Sequence, residues 1–260
     1  MPYDEGMDRG GEKSPAAGRP GLGQPSGAAQ RPGTPARGTE RPGAPTFGVT
    51  APAPLAPQAN RAPRKESPFK TKGNLYQGTI AFFQHNCPGG FAALVQAAED
   101  PQLKDFLSQS FLTGGMYEVM LVPELIELEA RVMRLELGKY LDKRTRWQAD
   151  RDIGGVYRML LKLASPETVA ARLPKVMTQT FNFGRPTTVE VGPRHFTTEM
   201  AGVPVPLRYW LETCIAIYVE TALAMAGAKH PIVRVLPAKP EAPMQGYPLA
   251  TLRFDARWDV

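Results

Sequence analysis

A histidine and a thiol stand two residues apart in His85-Asn86-Cys87. An imidazole near a thiol is the minimum for a thiolate nucleophile with its own base, and such a pair usually needs a third group to orient it. It could also begin a metal site, which needs three or four ligands. No further His or Cys accompanies the pair in sequence, and Pro88-Gly89-Gly90 follows at once. The plainer reading is a helix end before a chain break. His195 and His230 are the remaining histidines. A haem would need one of them to face a large apolar pocket. His230 falls just past a long apolar helix, where a cation suits the C-terminal dipole. His195 alternates with Phe196 in a strand, so their side chains take opposite faces. Both read as structural. Glu212 and Glu220 lie about two helical turns apart on one face. A carboxylate pair can do acid–base work, but the wetter side of a largely buried helix is the usual explanation and the preferred one. No phosphate-binding glycine loop of recognised type occurs. His85, Cys87, His195, Glu212 and Glu220 are thus the candidate site residues, without a complete catalytic set among them. The cofactor is left unknown, and none is expected.

The elements that must hold these residues are organised around Leu207 to Ala226. Leu211, Cys214, Ile215, Tyr218, Ala222 and Met225 recur there at three- and four-residue steps. Ile217, Val219 and Leu223 widen the apolar surface, so the helix should be buried on more than one side. Pro204 and Pro206 stiffen its entry, and Gly227 provides a left-handed exit. Arg208, Glu212 and Glu220 interrupt it, which argues against a membrane span. Thr187 to Val191 and His195 to Met200 flank Gly192-Pro193 and read as a hairpin. Ile232 to Leu236 and Leu249 to Trp258 read as two more strands. In the last, Leu252, Phe254, Ala256 and Trp258 form an apolar face, and Thr251, Arg253, Asp255 and Arg257 a charged face expected to see water.

Upstream the pattern is helical. A first helix is expected from near Thr79, another over Phe91 to Ala98, and a third opening at Asp100-Pro101, a cap followed by a first-position proline. Met116 to Val122 should be extended. Pro123 to about Leu141 reads as one helix with Leu125, Leu128, Val132, Leu135 and Leu137 inward and Glu124, Glu127, Arg131 and Arg134 outward. Arg146 to Leu163 continues helical across Gly154-Gly155, and Ser165-Pro166-Glu167 opens a helix to about Phe181. The fold class is therefore α+β, several helices packed beside a small antiparallel sheet.

Residues 1 to about 70 differ in kind. They are rich in Gly, Pro, Ala, Ser and Arg and poor in large aliphatic residues. Such a segment cannot bury enough apolar area to offset the entropy of ordering it, so a disordered tether is expected, followed by one domain over 74–260. Through Lys72 the chain carries 11 basic and 6 acidic residues, and beyond it 20 and 19. The excess positive charge belongs to the tail, so the folded domain should not bind nucleic acid. The loose Arg-Pro-Gly repeats could engage a protein partner. Two cysteines cannot build a disulfide framework. The first residues lack a cationic start and an apolar run, so no signal peptide is read and the cytoplasm is the expected location.

The order of elements and several short motifs resemble a paralogous family abundant in myxobacteria. That family is itself distantly similar to 4-vinyl-reductase-type ligand-binding domains, haem-NO-binding domains and TRAPP tethering subunits. The resemblance rests on Gly78-Thr79, on Gly155-Val156-Tyr157, and on Ser165-Pro166-Glu167 through Arg172-Leu173-Pro174-Lys175 to Phe181-Asn182-Phe183-Gly184. The hairpin, Ala226-Gly227 and Phe254 complete it, over about residues 74–260. It implies a mixed α/β fold, a homodimer and, in some relatives, a small-molecule pocket. Many vinyl-reductase-type domains carry cysteines near their last two strands; Pro237 to Phe254 has none here, which argues against a metal or thiol switch there. The expected function is a non-catalytic cytoplasmic sensor or interaction module that dimerises and holds an apolar small molecule. The alternatives are a haem-based gas sensor and a thiol-dependent enzyme using Cys87 with His85 as base.

Overall fold

The computed structural model describes residues 66–153 and 164–259. Most of the tail, and the helical reading across Gly154-Gly155, lie outside them. The fold begins before residue 70, earlier than composition suggested. Ser67 is buried and accepts the Phe69 N–H at 3.1 Å. Phe69 is buried edge-on against Phe183 and Tyr247 at 5.6 and 5.2 Å. The Asn182 side chain clamps this entry, accepting from Lys70 N–H at 2.7 Å and donating to the Pro68 carbonyl at 2.9 Å. Strand β1 (Lys70–Lys72) then pairs antiparallel with β2 (Met116–Glu118).

Between them lie α1 (Asn74–Asn86), α2 (Gly90–Ala97) and α3 (Pro101–Ser108). Helix α1 starts five residues before Thr79, whose side chain is buried rather than capping. Gly78 lets α1 approach the next long helix: a Cβ there would sit 2.2 Å from the Gln148 amide nitrogen. Asp100 does cap α3, accepting from the backbone N–H of Gln102 and Leu103, as its type and position predict.

The single helix expected from Pro123 to Leu141 is two: α4 (Val122–Val132) and α5 (Leu137–Asp152). Arg134 takes φ +54°, and Leu135 N–H bonds the Ala130 carbonyl at 3.0 Å. That five-residue closure is the Schellman exit, which usually employs glycine at the left-handed position. An arginine there gives no composition signal. Helix α6 (Pro166–Thr180) opens on Ser165, whose hydroxyl accepts from Thr168 N–H.

The main sheet has the order β3-β4-β6-β5, antiparallel throughout, with β3 at Arg185–Gly192, β4 at His195–Pro204, β5 at Lys229–Met244 and β6 at Tyr247–Asp259. A bulge in β4 sits at Gly202, φ +74°, and its N–H donates to Glu241 Oε1 at 2.7 Å. Strand β5 is longer than Ile232 to Leu236. Its register against β6 shifts three times, between Lys229 and Ile232, Leu236 and Lys239, and Glu241 and Met244. Each interval holds a proline, Pro231, Pro237 or Pro243. Proline cannot donate to a ladder, so a bulge is where a strand tolerates it.

A 3₁₀ turn (Val205–Leu207) leads into α7 (Arg208–Met225). This helix packs between α5 and strands β5 and β6, the two-sided burial its composition predicted. Ile215 and Leu223 are buried. Gly227, φ +94°, ends it. The apolar face of β6 is buried as expected, with Leu252, Phe254 and Ala256 at 1% exposure or less. Its opposite face departs from the expectation: Thr251 and Asp255 are buried and Arg253 half-buried. Long side chains from the flanking strands lie across it. Glu199 stands opposite Arg253 in register and accepts from its Nε at 2.9 Å and from Lys239 at 3.0 Å. Glu241 accepts from Thr251 at 2.6 Å.

Candidate functional site

The five residues singled out by type and spacing are not brought together. His85 is exposed on the last turn of α1, its ring tilted near Trp147. Cys87 ends that helix, and its Sγ lies 3.4 Å from the Pro88 carbonyl, so its hydrogen bond goes to backbone and not to His85. His195 lies in the β3–β4 hairpin with Nε2 3.4 Å from Glu190. His230 is exposed at the start of β5, near Asp259. Glu212 does not sit on a wet side: it is buried, and Arg208 donates to it at 2.7 Å. Glu220 accepts from Val233 N–H at 3.2 Å, with Arg146 3.8 Å away. Burial is the first cause raising both carboxylates above the ordinary range. Each carboxylate has its own cation, which is a structural arrangement. Among the described residues no group of three or more His, Cys, Asp and Glu could hold a metal ion, and no helix is long and apolar enough to cross a membrane.

The polar centre lies elsewhere, where α1, α4 and α5 meet. Glu129 of α4 is buried at 1% exposure, and Arg144 of α5 at 5%. Tyr140 donates to Glu129 Oε2 at 2.6 Å, and Arg144 Nε lies 3.8 Å from the same oxygen. Arg144 Nη2 donates to the Thr79 hydroxyl at 2.8 Å and reaches the Leu75 carbonyl at 3.4 Å. Burial raises the Glu129 carboxyl, against the opposing pull of Arg144, Tyr140 and the Thr79 hydroxyl. Glu129 Oε1 is buried with no hydrogen-bond partner in the protein. A void of about 10 Å³ borders Glu129, Thr79, Arg144 and Trp210. At the next residue of α5, Thr145 Oγ1 lies 3.4 Å from Cys214 Sγ. Burial pushes that thiol up, so it is a weak nucleophile.

Sequence reasoning passed over Glu129 and Arg144, yet a signal was there. Val122, Leu125 and Ile126 make the inner stripe of α4, and Glu129 falls on the same stripe. Tyr140 and Leu141 do the same in α5, and Arg144 follows at the next turn. A charge at an apolar-stripe position on each of two successive helices marks a buried pair.

No family model matches the chain, and no curated protein matches its sequence. Its fold does match solved structures. An H-NOX domain from a study of heme distortion superposes with a TM-score of 0.50 at 10% identity, covering 73% of this chain and 95% of that one. A mutant T. Tengcongensis H-NOX gives 0.50 at 9% identity, covering 73% and 98%. A further Tt H-NOX variant gives 0.50 at 10%, covering 73% and 95%. Among the described residues no histidine stands where an axial haem ligand would. An axial ligand must face a large apolar pocket, whereas His85 and His230 are exposed and His195 faces Glu190. The void beside Glu129 has room for about one water. At this identity the likeness speaks for architecture: the chain is similar in fold to the H-NOX domains.

Proposed function

We propose that this chain is a non-catalytic sensor or interaction module that uses an H-NOX-like fold without haem. The observation that carries the reading is the placement of the three histidines, all away from the interior. The scattering of the candidate catalytic groups supports it too. In this reading the domain dimerises, responds to a small apolar molecule or a protein partner, and acts in the cytoplasm. The Arg-Pro-Gly tail recruits or tethers. The run from Ser165 to Gly184 supports placing the chain beside the myxobacterial paralogues.

The fold likeness favours a second reading, a haem-based gas sensor, because the neighbours named above include an H-NOX domain studied for heme distortion. One experiment separates the two. Purified full-length protein is mixed with hemin, and the Soret region is followed through equivalence, with native mass spectrometry reporting retained small molecules and subunit number. The proposal expects no stoichiometric Soret shift and a dimer. A saturable one-to-one Soret band would establish the second reading. A bare monomer that retains nothing and captures no partner would remove the first.

A further inference from the structure

We propose that the Glu129–Arg144 cluster is a binding site for one internal water, held at the junction of α1, α4, α5 and α7. The two oxygens of Glu129 are treated differently by the protein. Oε2 receives the Tyr140 hydroxyl and faces Arg144, while Oε1 is buried without a hydrogen bond of good geometry, although the Thr79 hydroxyl stands near enough to the carboxyl to pull it down. A buried carboxylate oxygen without a donor carries a desolvation cost. The adjoining void is about 10 Å³, near the lower limit for a single water.

The chemistry of the lining selects the occupant. Glu129 and Arg144 supply opposite charges, so the site as a whole calls for an uncharged guest. Glu129 Oε1 accepts and needs a donor. Thr79 accepts from Arg144, which leaves its hydroxyl proton to give. Leu75, Val122, Leu125 and Ile126 close the remaining walls with apolar surface. An ion would leave one of the two charges opposed, and an apolar gas would leave Oε1 without a donor. Water both donates and accepts, and it fits the volume. The site is contributed by α1 (Thr79), α4 (Glu129), α5 (Arg144) and α7 (Trp210), so the water would lie where four helices meet.

The test is a high-resolution crystal structure of the full-length chain, paired with magnetic relaxation dispersion of water oxygen-17 to count long-lived internal waters. The expected result is an ordered water within hydrogen-bonding distance of Glu129 Oε1. Replacing both charges (Glu129→Leu with Arg144→Met) should lose one long-lived water, whereas Glu129→Gln, whose amide still accepts, should keep it. Direct bonding of Oε1 to Thr79 or Arg144 with no density between them would overturn the proposal. An equal water count in wild type and the double variant would do the same. If the double variant does not fold, the wild-type density decides alone.

Discussion

Glu129 and Glu199 are both glutamates facing an arginine, and their surroundings push them in opposite directions. Glu129 lies inside the helical half, where burial outweighs Arg144 and Tyr140 and raises its carboxyl. Glu199 lies on the open face of the sheet, where Lys239 and then Arg253 outweigh a modest burial and lower it. The difference is solvent. On the sheet, water still hydrates the ions, so a cation nearby is a net gain. Inside, the loss of hydration is the larger effect, and the cation only limits it. Ion pairs that look alike in a contact list therefore hold the two halves in different ways.

Arg144→Met should have the largest effect. It strands a buried carboxylate and should destabilise by about 3–5 kcal/mol in urea unfolding. Adding Glu129→Leu should recover most of that loss, since an apolar pair in place of a buried ion pair is often neutral. A double variant as unstable as the single would mean that the pair itself, and not the stranded charge, holds the helices.

The two glutamates also couple stability to pH with opposite signs. Native Glu129 keeps its proton to higher pH than the unfolded chain does. Where the native state holds more protons, stability falls as pH rises. The fall should start at the ordinary glutamate range and end at the raised native value, and Glu129→Gln should remove it. Glu199 has the reverse sign. Its native pKa is lowered, so its contribution is full above the ordinary range and disappears as pH falls through the native value. Glu199→Gln should flatten the acid limb, seen as a smaller loss of thermal midpoint at low pH than in the wild type.

The smallest effects belong to the sheet cations. Arg253→Ala should cost about 0.2–1 kcal/mol, as for a partly exposed pair, and its effect should shrink in high salt. Lys239→Ala, with the more exposed side chain, should cost less than Arg253→Ala. An Arg253→Ala loss as large as that of Arg144→Met would erase the distinction between the halves.

Local chemistry made much of this fold legible. Asp100 and Ser165 announced helix starts because a short acceptor side chain before proline has few other uses. Gly227 announced an end, and the alternation in β6 announced its buried face. What stayed hidden depended on partners distant in sequence. The break at Arg134 uses a left-handed residue that nothing in its type reveals. β1 exists because Asn182 and Glu118, far along the chain, receive it. The charged face of β6 is covered by side chains of its neighbours, which no single-strand pattern contains. The candidate residues were chosen by reactivity and proved dispersed, whereas the cluster at Glu129 was visible only as charges misplaced on apolar stripes.

The prolines of β5 bear on how the protein behaves when crowded. Among the described residues β5 forms one end of the main sheet, the position at which a foreign strand could add. A guest strand needs a regular row of donors and acceptors. Pro231, Pro237 and Pro243 lie in the three intervals where the register shifts, and Pro240 removes a further donor. No stretch between these interruptions is long enough to template the cross-strand stacking from which fibrils grow. The same residues that obscured the strand in the sequence thus guard this margin of the sheet against aggregation.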